Sequence, residues 1–491
     1  MKKSNPSESS ASKKYNLENP RVVNILVFCL CFAALLGAKW IVLSAPFHWD
    51  VMGYIMPSAN VIFKDAQIIP VGDIAGHPPL FFLTLTLIWK LFGQSLFISH
   101  LLNLLLGAFG LTFLFMLTRR IYGIKEAVAA TLFLFFNQIF FAQVGMVYLS
   151  VAIMSLAILT VYSYICQKHI LFLVSASAML LVKETSIIVL VSIILFDVFQ
   201  NICRKEKIDV LFKKLIHLSL AFLPLFGWMV FHWKKTGWIF NTNLIVNKES
   251  FWKVFLNNLS RYLFFDRSPE NVNRANWGIF ILVVVFFVVY ILKKKNLRTE
   301  ILLLFIVIMN IAFFSYTDDL PRYFLIIFPF YFILGARAFV YISEKSKYRR
   351  VLLIALLALI IFSSVMNYSG QRDTDGWRLE SNMEYLDFVR VCQSLAHYLE
   401  SKYPDYKIIA SFPLYNALQI PWYGYVKKPL AVVPQSTFEE QENLFVIQAF
   451  QSNTLSLKRF IQENRDKLQI HREFSFKGKR IVIYRKRISS S

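Results

Sequence analysis

Apolar residues in this chain come in long runs, not in alternation. The first, Val22 to Ala45, is almost wholly apolar, and runs of similar character recur near 95–118, 125–142, 145–165, 169–183, 185–201, 214–233, 277–292, 299–315, 323–342 and 351–367. A helix needs roughly twenty apolar residues to cross a hydrocarbon core of about 30 Å, so the pattern predicts about eleven spanning helices. Leu80–Leu91 breaks the series. At about a dozen residues it is too short to span. After Tyr368 the pattern changes: charges of both signs enter and no further run follows. Glu380–Tyr403 has helical spacing, and Lys407–Phe412 and Arg480–Arg485 read as strands. The expected fold class is a polytopic α-helical membrane protein with a C-terminal extracytoplasmic α/β domain.

Charge orients this arrangement. The chain is 56% hydrophobic and only 17% charged, with a net charge of +23 and a mean hydropathy of +0.51. Its basic residues cluster beside the apolar runs, at Lys13/Lys14, Arg119/Arg120, Lys168, Arg204/Lys205/Lys207, Lys293–Lys295 and Arg349/Arg350. Cytoplasmic loops carry such excess. With the N-terminus inside, every cluster falls on the inner face. Were Leu80–Leu91 a span, Arg119/Arg120 and all later clusters would be inverted. The organisation expected is therefore a cytoplasmic tail over 1–21, a membrane domain over 22–368 with an outer loop at 46–94, and an outer soluble domain over 369–491. Leu80–Phe92 then lies along the surface or partly re-enters the membrane, its first turn set by Pro78 and Pro79. No basic stripe suits a duplex, so no nucleic acid partner is expected. The five cysteines form neither a metal spacing nor a disulfide framework.

The chemistry-bearing residues gather in the outer loops. Phe47-His48-Trp49-Asp50 places a carboxylate at the end of the first span. A carboxylate there serves as general base if it reaches the acceptor proton; its plainer role is a solvated helix end. Asp73 and His77-Pro78-Pro79-Leu80 share the loop. Lys183-Glu184 lies where two spans meet, and charges at membrane depth are costly and usually functional. Asp318, Asp319, Arg322 and Tyr323 form a third outer group, in which the planar fork of Arg322 suits a phosphate. Arg261, Arg267 and Arg274 are weaker candidates. No Gly-rich phosphate loop is present, which argues against a nucleotide donor.

Together, an acid after the first span, His77-Pro78-Pro79-Leu80, an apolar helix, Lys90-Leu91-Phe92-Gly93 and a following span that ends in Arg119-Arg120 resemble the GT-C-fold glycosyltransferases that use polyprenyl-phosphate sugars. These include the protein O-mannosyltransferases and the aminoarabinose transferases of lipid A. The resemblance implies a catalytic Asp50 and donor-phosphate contacts from His77 and Lys183; the chemistry of the outer loops adds Arg322 as a further phosphate contact, with support expected from Asp73, Glu184, Asp318, Asp319 and Tyr323. It implies a polyprenyl-phosphate donor and a glycolipid (such as lipid A), glycan or protein acceptor; the Lys/Ile/Phe-rich composition and compact loops point to a bacterial inner membrane. The chain departs from the family at three places. Val51 stands where the second acid is usual, His100 where an arginine is common, and no acid occurs around Met146–Leu149. A divalent cation (Mg or Mn) would have Asp50 alone as its ligand, a weak basis for a metal site. Two other functions compete: a lipid or lipid-linked-sugar transporter, which predicts charges in mid-span and paired broken helices, and a scaffold, which gives no reason for Asp50 and His77-Pro78-Pro79 to occur together.

Overall fold

The computed structural model describes residues 20–69, 76–204, 207–239, 250–259, 297–316, 320–345, 347–348, 351, 354, 358, 380, 382–439, 443–449 and 455–487. Asp73, Asp318, Asp319, the three loop arginines, the span expected at 277–292 and nearly all of that at 351–367 lie outside these residues.

The protein is mostly helical. Helix α1 (Pro20–Lys39) runs on through a 3-10 turn to Ser44. A π turn (Val51–Ile55) leads into α2 (Met56–Asp65), and α3 (Leu80–Phe92) follows. The next helices are α4 (Leu96–Ile121), α5 (Ile124–Phe135), α6 (Gln138–Gln143), α7 (Leu149–Ile165), α8 (His169–Val182) and α9 (Ile187–Arg204). Then come α10 (Ile208–Ser219), α11 (Leu223–Thr236), α12 (Phe251–Leu259), α13 (Arg298–Tyr316) and α14 (Phe328–Lys345). Among the described residues, five helical stretches are long and apolar enough to cross a membrane: Arg21–Ser44, Leu96–Ile121, Glu184–Arg204, Ile208–Thr236 and Arg298–Tyr316. Helices α3, α7 and α8 are apolar but shorter.

Two expectations need correction. The run at 125–142 is not one helix. It breaks after Phe135, and the Asn137 side chain caps α6 by accepting from Phe140 N at 3.0 Å. Asparagine competes with the helix for backbone donors, which favours such a break. Conversely, 51–65 is helical where a loop was expected. Ile55, Ala59 and Ile62 are buried at helical spacing on one face, and Pro57 sits in the first turn, where it costs no hydrogen bond.

Helix α4 is buried on several sides, against α1, α5 and α7. Glycines permit this closeness: a Cβ on Gly107 would lie 2.3 Å from Val144 Cγ2, and one on Gly110 would lie 2.5 Å from Ser155 Oγ.

The C-terminal region is α/β. Helix α15 (Tyr385–Lys402) packs on a four-stranded sheet of order β1-β2-β4-β3, formed by β1 (Lys407–Ala410), β2 (Leu444–Ala449), β3 (Leu468–Phe476) and β4 (Lys479–Lys486). Strands β1 and β2 are parallel, and the other pairs are antiparallel. Two further helices, α16 (Leu414–Gln419) and α17 (Leu455–Glu463), complete the region. It grips the segment after α1. Phe47 N donates to Tyr423 O (3.2 Å), Tyr425 OH to Phe47 O (2.7 Å), and both Asn416 Nδ2 and Tyr423 OH to Met52 O (3.0 Å each). At about 1 kcal/mol net per bond, this clamp fixes the turn that carries Asp50.

Candidate active site

Asp50 begins the site. Trp49 before it holds φ at +48°, a left-handed conformation uncommon for a bulky residue, and the π turn starts right after it. Both features need surrounding support. The clamp supplies it, together with the Phe412 ring, which packs 5.2 Å from that of Trp49. A Cβ on Gly53 would fall 2.4 Å from Phe412, so the close approach needs glycine there. As a result Asp50 faces a cavity while its neighbours Val51 and Met52 are buried.

Arg322 reaches Asp50 from a 3-10 turn (Pro321–Ile326) that precedes α14. Its Nη2 donates to Asp50 Oδ2 at 2.5 Å, and its Nη1 donates to Glu380 Oε2. The Tyr148 hydroxyl, just before α7, donates to the other Glu380 oxygen. Two carboxylates thus flank one guanidinium, which also stacks near the Tyr148 and Tyr323 rings at 4.8 and 5.3 Å. Burial pushes the Glu380 carboxyl up, Arg322 pulls it down and Asp50 adds to the rise; the carboxyl ends above its ordinary range. His48, behind the turn, is driven down to about 3 by burial and then by Arg322. It is therefore a neutral filler against Tyr385 and Phe388.

The other wall comes from α3 and α8. Gly76 (φ +62°) and the two prolines set His77, whose Nδ1 lies 3.0 Å from Glu184 Oε2. Lys183 leaves the end of α8 with extended backbone, and its Nζ sits 4.1 Å from the centre of the Tyr323 ring. Asp50, His77, Lys183, Arg322 and Tyr323 all line one cavity of about 250 Å³, with Tyr54, Tyr148 and Thr185. Ile55, Leu149, Ile153, Phe314 and Ile326 give it apolar walls. Glu184 stands behind His77. The arrangement pairs a partly exposed carboxylate with a cluster of donors, the combination needed to take a proton on one side and hold an anion on the other.

Sequence reasoning missed Glu380 and Tyr148. Val51 is buried and apolar, and the second acid near Asp50 comes from far along the chain. No periodicity marks Glu380; its only sequence signal is being an acid in the first segment after the last span. Tyr148 lies in the stretch that lacks the family's acid, and it binds Glu380 instead. His100 is buried, 3.1 Å from Ala45 O, and supports the loop without reaching the cavity.

Among the described residues the donor set does not fit a divalent cation. Mg and Mn need several oxygen ligands turned to one point. Here Asp50 and Glu380 both turn to Arg322, and among the described residues no three His, Cys, Asp or Glu side chains converge.

Comparison with known proteins bears on the fold. The family model described as "Dolichyl-phosphate-mannose-protein mannosyltransferase" matches residues 76–231, beginning one residue before His77. No curated protein sequence matches the chain. Among solved structures, ArnT from Cupriavidus metallidurans bound to undecaprenyl phosphate aligns over 95% of this chain and 98% of its own, at 12% identity and a TM-score of 0.56. Its apo state aligns over 94% and 98%, also at 12% identity, with a TM-score of 0.60. The archaeal oligosaccharyltransferase AglB from Archaeoglobus fulgidus, in complex with an inhibitory peptide and a dolichol-phosphate, aligns over 96% of this chain and 75% of its own, at 10% identity and a TM-score of 0.50. The chain is an integral membrane protein with the GT-C glycosyltransferase fold, as its sequence resemblance implied.

Proposed function

We propose that the protein transfers a sugar from a polyprenyl-phosphate carrier to an acceptor hydroxyl or phosphate at the outer face of a bacterial inner membrane. The observation that carries this reading is the single cavity in which Asp50 meets Arg322, Lys183 and His77. The solved structures with undecaprenyl phosphate and dolichol-phosphate bound in the same fold support the choice of donor class.

In the proposed reaction the acceptor oxygen attacks the anomeric carbon, and its proton passes to Asp50. The bond from that carbon to the phosphate oxygen breaks, and the electron pair leaves with the lipid phosphate. Lys183, Arg322 and His77 stabilise the charge that develops there, the kind of preorganised contribution that usually dominates such catalysis. One displacement inverts the anomeric centre. Glu380 orients Arg322 and does not touch the sugar. The basic clusters support a cytoplasmic N-terminus and an outer C-terminal region. Glycolipids, glycans and proteins are the acceptor classes this reading allows.

The test is reconstitution in liposomes with a radiolabelled polyprenyl-phosphate sugar and an extract of envelope glycolipids. Label moving into a new product, with free polyprenyl phosphate released in equal amount, supports the proposal. Labelled lipid crossing the bilayer without cleavage would instead show a transporter.

A further inference from the structure

A second cavity, of about 440 Å³, lies at the other end of the same helices. Helix α7 meets the Asp50 cavity through Leu149 and Ile153 and this one through Ser163–Ile165. Helix α13 meets the first through Phe314 and the second through Arg298 and Leu302. At 1.5 Å per residue, Ile153 and Ser163 lie about 15 Å apart along the axis of α7, and its two ends, Leu149 and Ile165, about 24 Å apart. The two cavities therefore belong to opposite membrane faces, and this one lies at the end where Arg204 and Lys207 flank α9 and α10.

Among the described residues its charged lining is cationic. Lys214 and Arg298 face it, beside His169 and His217, whose rings meet edge-on at 4.9 Å. Asp197 does not line the cavity. It sits behind, only 2% exposed, and its Oδ1 accepts from Lys214 Nζ and Tyr164 OH at 2.5 Å each. Arg298 interacts with the same Tyr164 hydroxyl. The buried carboxylate thus aims the ammonium without presenting its own charge to an occupant. Deeper walls are apolar: Phe172, Phe196, Leu218 and Leu302. On the outer surface the same helices expose Ile170 (82%), Phe212 (65%) and Ile216 (49%), a surface suited to acyl chains.

We propose that this cavity binds the phosphate headgroup of an anionic phospholipid from the leaflet opposite the Asp50 cavity. Basic pockets between membrane helices on the cytoplasmic side bind such headgroups, and the fork of Arg298 beside Lys214 matches phosphate oxygens. Among the described residues no carboxylate lines the cavity, and its cationic groups suit holding an anion.

The test uses the full chain purified in a neutral detergent. Phosphatidylglycerol, phosphatidylcholine, a polyprenyl phosphate and inorganic phosphate are added separately at equal concentration, and retained molecules are read by native mass spectrometry beside the thermal midpoint. Phosphatidylglycerol is expected to be retained and to raise the midpoint, while phosphatidylcholine does neither. The double variant Lys214→Gln/Arg298→Gln should lose about thirtyfold in phosphatidylglycerol affinity, the loss expected for two interfacial cations, with sugar transfer within about twofold of the parent. Equal retention of phosphatidylcholine by the unaltered protein would overturn the proposal, and this arm needs no variant to fold. Stabilisation by inorganic phosphate equal to that by phosphatidylglycerol would overturn the lipid assignment. Polyprenyl phosphate retained in preference to phosphatidylglycerol, and lost in the double variant, would overturn the phospholipid assignment.

Discussion

The two cavities occupy opposite ends of α7, α8, α9 and α13 and draw on similar residue types, yet they place their carboxylates differently. In the outer one Asp50 faces the cavity beside Arg322 and Lys183. In the other Asp197 is withdrawn behind Lys214. A cationic cavity holds an anion; adding a carboxylate that reaches the occupant lets it also accept a proton. That difference is set by backbone. Asp50 sits on a strained turn clamped by the C-terminal region, whereas Asp197 sits mid-helix against a tyrosine.

Three substitutions should sharpen this contrast. Asp50→Asn keeps size and polarity but cannot accept the proton. Transfer should fall by about 10²–10⁴-fold, the usual worth of a positioned base, as read by labelled-product formation. Arg322→Gln should cost about 10²–10³-fold in transfer. It also strands Glu380 in a buried site, so unfolding in denaturant should come easier by about 3–5 kcal/mol. Lys183→Gln should raise the KM for the lipid donor by about 10- to 100-fold, the worth of one charge-assisted contact. A change confined to kcat would instead remove Lys183 from ground-state phosphate binding.

Acidification should also separate the two ends. His48 has a depressed folded value of about 3, against about 6.5 when unfolded. Its contribution to stability is complete above about 6.5 and is lost as pH falls toward 3. Between pH 7 and 5 that loss is about 2 kcal/mol. It should loosen the clamp on the Asp50 turn, lower the thermal midpoint, and disappear from the pH profile in His48→Phe.

Much of this was legible in the sequence because polar groups beside a membrane are costly and stand out. Asp50, His77, Lys183 and Arg322 mark ends of apolar runs, and the structure brings all four to one cavity. Strands β1 and β4 carried apolar residues in recognisable short runs. What stayed hidden depends on tertiary contact. Glu380 has no local pattern and matters only because the chain folds back onto Arg322. Helix α2 is short, and its buried stripe of Ile55, Ala59 and Ile62 was masked by the loop-like residues around it. Lys214, Arg298, His169 and His217 come from separate parts of the chain, and only their convergence, with Asp197 turned away, makes them a site.

The central claim is that Asp50 does chemistry in a cavity whose cations hold the donor. Its most direct test measures two quantities on one folded variant: polyprenyl-phosphate binding and sugar transfer by Asp50→Asn. Donor affinity within about threefold of the parent, with transfer lowered by at least about 10²-fold, is the predicted result. Transfer near the parental rate by the well-folded variant would contradict the account.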